Sequence, residues 1–137
     1  MVTLGIIWCF LGLTAYMFYG GGDRFAELWR KIVEELPLYS KIYLVAIAPF
    51  MVGIFEEAIW RRFGIESLSK YYSPRKAVAI QAIAFGVWHG LTLHAVATAI
   101  VGAIYGLVYL KRKRLLTLIL THIIADIIGF SMAIFAI

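Results

Sequence analysis

The stretch AVAIQAIAFGVWHGLTLHAVATAIVGAIYGLVYL, residues 77–110, runs for 34 residues without an Asp, Glu, Lys or Arg. One helix of that length would extend about 50 Å, whereas a bilayer's hydrocarbon core is roughly 30 Å thick. The stretch therefore has to make two crossings, and the break belongs near His89-Gly90-Leu91-Thr92. This gives a third span from Ala77 and a fourth that ends before Lys111-Arg112-Lys113-Arg114. Working outward, residues 2–19 are uncharged and are followed by Gly20, Gly21 and Gly22, without the basic n-region of a secretory signal, so they read as a retained first span. Residues 23–41 mix eight charged positions with Phe25, Leu28, Trp29, Ile32, Val33 and Leu36 at near-helical spacing, the pattern of an interfacial helix. The second span starts near Ile42 and is apolar to Phe55, where Glu56 and Glu57 interrupt it. The last span runs from Leu115 to the end.

Composition agrees with this solvent. Of 137 residues, 63% are hydrophobic and 15% are charged, and mean hydropathy is +0.88. Soluble domains carry about a quarter charged residues. The expected fold is all-α: a polytopic transmembrane helix bundle of about five spans plus one interfacial amphipathic helix. It forms a single integral membrane domain over residues 1–137, with the first span and interfacial helix in 1–41 and the core in 42–137. The lone Cys9 lies in an apolar run, which leaves no intrachain disulfide framework.

Charge sets the orientation. Five crossings put segments 61–76 and 111–114 on one side, each with net charge +4, while segment 20–41 nets zero. The positive-inside rule then places the N-terminus in the cytoplasm and the C-terminus outside, in a multi-pass cell-membrane protein. The overall +5 is topological: the basic residues sit at the ends of apolar runs and form no stripe with interleaved aromatics, so nucleic acid is excluded as a partner. Membrane lipid is the expected partner, and the 111–114 run anchors the fourth helix at anionic headgroups. Small residues four apart, Gly86 with Gly90 and Gly102 with Gly106, would let the third and fourth helices approach closely.

Three polar pairs with helical spacing stand out in this apolar chain: Glu56-Glu57-x-x-x-Arg61, Phe85-x-x-x-His89 and His122-x-x-x-Asp126. Ionisable groups at membrane depth are costly and mark pairing or chemistry. Residues four apart share a helix face, so Glu57 reaches Arg61 and leaves Glu56 about 100° away around the helix. Counted at about 1.5 Å per residue from the cytoplasmic flanks, Glu56, His89, His122 and Asp126 lie at comparable depths. Three helices can thus bring one Glu, two His and one Asp to a common point. Phe85 packs beneath His89. His94 has no polar partner three or four residues away and stays outside the site. Trp60 shares a face with Glu56 and belongs to the interface or the cavity lining.

At these residues the chain resembles the CAAX protease and bacteriocin-processing family, also called the Abi family of intramembrane proteases, which includes the type II CAAX prenyl endopeptidases. The resemblance covers about residues 52–130, and the ordered trio of motifs is far more specific than any one of them. It implies hydrolysis of a peptide bond in a membrane-associated protein or peptide substrate, prenylated or not. Glu56 would be the general base that activates water, His89 would help to hold that water, and His122 with Asp126 would stabilise the oxyanion. Glu57, Arg61 and Phe85 would support them. Asp126 stands where the well-described prenyl endopeptidases have Asn, and an ionised carboxylate there would repel an oxyanion unless it turns to orient His122. The chain is close to the minimal family core, so a partner subunit could supply elements that grip the substrate.

No cofactor is needed for this chemistry, but the residues leave other readings open. Two His and one or two carboxylates, Glu56, His89, His122 and Asp126, are also a reasonable zinc set. A non-catalytic membrane scaffold or immunity-like protein could keep the same fold, and intramembrane Glu, His and Asp chains also relay protons.

Overall fold

The structure, a computed structural model, describes residues 22–90 and 93–135. The expected first span and Cys9 fall outside the described residues. Those residues are all helical, without strands, in the order α1 (Gly22–Glu35), α2 (Leu38–Ala46), α3 (Ala48–Glu57), a π-helical segment (Ala58–Ile65), the closing turn α4 (Glu66–Leu68), α5 (Pro74–Trp88), α6 (Leu93–Arg112) and α7 (Leu115–Phe135).

Among the described residues, three helical stretches are long and apolar enough to cross a membrane: Leu38–Leu68, His94–Arg112 and Leu115–Phe135. The expected third span is the 15-residue α5, about 22 Å at the α-helical rise and so shorter than a hydrocarbon core. Its end is where the sequence places the break. His89 caps α5, its backbone N–H donating to the Gly86 carbonyl, and Gly90 takes φ +98°, a left-handed conformation that glycine adopts without steric cost. A Cβ at Gly90 would meet nothing within 4 Å, so this glycine serves the turn and not close packing.

The interfacial helix also differs from its sequence boundaries. It stops at Glu35, and α2, capped by Pro37, starts at Leu38, four residues before the expected start at Ile42. Proline cannot donate to the ladder, which is why the second long helix is interrupted again at Ile47, just ahead of Ala48-Pro49. The π segment has no counterpart in the sequence reading. Gly64 permits its wide turn, since a Cβ there would lie 3.1 Å from the Ile59 carbonyl, the acceptor position of an i→i−5 bond. From Pro49 through this segment, Pro49, Gly53, Glu57, Arg61 and Ile65 are all buried.

Packing places α3 and the π segment between α7 on one side and α5 on the other, with α6 laid along α5. Glycines set the closest approaches. A Cβ on Gly86 would come 2.6 Å from the Ala95 carbonyl oxygen, and one on Gly102 would lie 2.9 Å from Phe85 Cδ1. Gly106 meets Val78 and Ile65, and Gly53 meets Ile123 in the same way. Ile65, Val78, Tyr109 and Leu118, one from each of the π segment, α5, α6 and α7, form the buried cluster that ties these elements together at the basic end.

Candidate active site

Glu57 and Arg61 anchor the site. Both side chains have no solvent exposure, and Arg61 Nε lies 3.1 Å from Glu57 Oε2. The guanidinium sits over the Phe85 ring at 4.7 Å from its centroid and over the Tyr105 ring at 5.3 Å. Two aromatic faces thus enclose a cation that has left water, an attraction that strengthens on desolvation. The second oxygen of Glu57, Oε1, lies 2.7 Å from His122 Nδ1. A carboxylate paired with arginine is an acceptor, so Nδ1–H donates and the Nε2 edge of His122 is left facing the interior of the site.

His89 is oriented by the same logic. Its Nδ1 is 2.8 Å from the Phe85 carbonyl oxygen. A carbonyl can only accept, which puts the proton on Nδ1 and turns Nε2 inward as an acceptor. Its ring also stands edge-on to Phe85, with centroids 4.6 Å apart. Glu56, on the last turn of α3, then receives both imidazoles: Oε2 is 3.7 Å from His122 Nε2 and 4.0 Å from His89 Nε2. Asp126 Oδ2 lies 3.6 Å from His122 Nε2. These separations exceed hydrogen-bond length, and Glu56 Oε2 and Asp126 Oδ2 are buried without a partner among protein groups.

The structure therefore brings Glu56, Glu57, Arg61, Phe85, His89, His122 and Asp126 together from α3, the π segment, α5 and α7. It also adds residues outside the motifs. Tyr105 covers Arg61 and stands edge-on to His122 at 6.2 Å between centroids. His94, left out on sequence grounds for want of a partner on its own helix, approaches His89 across the turn with centroids 6.0 Å apart. Trp60 packs against Phe85 and Trp88 inside the bundle. Gln81, 1% exposed, lies one turn before Phe85 and opposite Gly64, and neither of its amide atoms has a protein partner. Of these residues only Trp60 carries a usable sequence signal, the helix face that it shares with Glu56.

A family model described as type II CAAX prenyl endopeptidase, Rce1-like, matches residues 38–128, which spans every residue of this cluster. The chain belongs to that family. It is a protease family, and with three apolar helices of spanning length this is a membrane protein of that family. No curated protein and no solved structure matches the chain significantly. Among the described residues, no group of three or more His, Cys, Asp or Glu side chains is arranged to hold a metal ion.

Proposed function

We propose that the chain is an intramembrane endopeptidase that cleaves a peptide bond in a membrane-associated protein or peptide, using Glu56 to activate water. The observation that carries this reading is the convergence of the Glu56 carboxylate and two imidazole Nε2 edges within 4.0 Å, each ring fixed through Nδ1. A water between them would donate one hydrogen to His89 Nε2 and the other to Glu56. As the water oxygen attacks the carbonyl carbon, Glu56 takes its proton. His122, protonated at both nitrogens, donates from Nε2 to the developing oxyanion, and Glu57 steadies the charge from behind. Asp126 holds the Nε2 edge in place. Glu56 then passes the proton to the leaving amine as the C–N bond breaks, leaving a carboxylic acid and an amine.

No step in this reading needs a metal; the alternative is a zinc-dependent hydrolysis in which Glu56, His89, His122 and Asp126 would hold the ion. The wider reading keeps five spans in the cell membrane, with a cytoplasmic N-terminus and an external C-terminus. The site then opens toward the cytoplasmic side, where a prenylated or unmodified substrate tail, or a partner subunit, would meet it.

The test is to map new peptide termini in native membranes and compare the native chain with Glu56→Gln at equal expression. Termini lost only in the variant support proteolysis and name its substrates. An unchanged set, with the deletion phenotype rescued by the variant, moves the function to a scaffold.

A further inference from the structure

The basic run 111–114 does not act as one patch. Lys113 takes φ 53° at the corner between α6 and α7, a left-handed conformation that is unusual outside glycine, and this corner sends successive side chains apart. Lys113 turns to the bundle, with Nζ 4.9 Å from the Tyr109 ring and 4.0 Å from Glu66 Oε1. Arg112 and Arg114 turn the other way and, with Val108 and Thr117, line a half-open cavity of about 310 Å³. Among the described residues neither arginine has an ion-pair partner. Glu66, the acid at this end of the bundle, is already engaged by Arg62, Lys113 and Tyr109.

Two like charges sharing one cavity without an acid repel each other, and an anion between them removes that repulsion. Guanidinium groups match phosphate oxygens in pairs of parallel hydrogen bonds. The cavity also opens onto apolar surface. Val101 and Ile104 lie on the Val108 face of α6, Leu120 and Ile124 on the Thr117 face of α7, and all four are exposed. Charge at the membrane surface and apolar stripes running inward from it fit one ligand with a phosphate head and acyl chains. We propose that Arg112 and Arg114 form a binding site for the phosphate headgroup of an anionic membrane lipid. This site is separate from the Glu56 cluster, so the proposal stands whether or not the chain is a protease.

The experiment reconstitutes the whole chain in vesicles of phosphatidylcholine with or without phosphatidylglycerol and measures retention of spin-labelled phosphatidylglycerol against spin-labelled phosphatidylcholine. The native chain is expected to retain the anionic lipid selectively, and Arg112→Gln/Arg114→Gln to lose most of that selectivity. The control Lys70→Gln/Lys76→Gln removes the same charge from the same side, outside the cavity, and is expected to change retention only a few-fold. Equal loss in both variants, or no selectivity in the native chain, would mean diffuse attraction and overturn the site. Inorganic phosphate is titrated in parallel. If it displaces the labelled lipid at millimolar concentration, the cavity takes a soluble anion and the lipid assignment fails. Melting of each variant in phosphatidylcholine vesicles confirms that both remain folded.

Discussion

Arg61 shows how much one side chain can carry. Its guanidinium faces Glu57 and two aromatic rings, and Glu57 in turn fixes His122. Removing one partner of a buried pair strands the other charge, so Arg61→Met is expected to cost about 3–5 kcal/mol. Thermal unfolding in detergent checks this, and Glu57→Gln/Arg61→Met should recover part of the loss, because no lone charge remains. Gln81 behaves in the opposite sense. Its buried amide lacks protein partners, so Gln81→Met, close in volume, is expected to raise stability by about 1–3 kcal/mol. The same melting assay gives the sign, and a decrease would show that the amide is hydrated in the bilayer. At this scale the sequence was readable where residues four apart share a face, as with Glu57 and Arg61 or His122 and Asp126. Tyr105, His94 and Gln81 were not readable, because their partners come from other helices and spacing along one helix carries no information about them.

At the scale of elements, glycines set how closely α5 and α6 approach. Gly86→Ala would put a Cβ 2.6 Å from the Ala95 carbonyl oxygen and 2.7 Å from Ala99 Cβ, neither of which is a flexible chain end. The helices would have to separate, at about 1–3 kcal/mol, and His89 at the end of α5 would move with them. Melting gives the first effect. The second should appear as a loss of cleavage larger than the loss of folded protein. The sequence located the turn at His89-Gly90 correctly, since polar and glycine residues interrupt an overlong apolar run. It placed the start of the second long helix too late, because Lys41 was counted with the interfacial segment. In the structure Pro37 makes that division, and Lys41 lies within α2.

For the whole molecule, the Glu56 mechanism and a zinc mechanism make opposite forecasts. Cleavage by purified protein is expected to persist after exhaustive treatment with 1,10-phenanthroline, and added zinc is expected to leave the rate unchanged. Loss of activity restored by zinc would assign Glu56, His89, His122 and Asp126 to a metal instead. Composition alone settled that the chain belongs in a membrane, since its apolar runs are too long and too poorly charged for a soluble core. The number of crossings was harder to read. An apolar run gives a length, but α5 at 15 residues depends on its neighbours for its depth.

The line of buried residues along the second long helix has a further meaning. Pro49, Gly53, Glu57, Arg61 and Ile65 recur at every fourth position. On an ideal α-helix each such step overshoots a full turn by about 40°, so over four steps the line would drift by about 160°, to nearly the opposite side. The wide turns between Ala58 and Ile65 underwind the helix and cancel that drift, so a strict four-residue beat stays in phase with the bundle. The underwound segment thus keeps Glu57 and Arg61 on the same buried line as Pro49 and Gly53, so that a kinked helix still presents one straight seam to its neighbours.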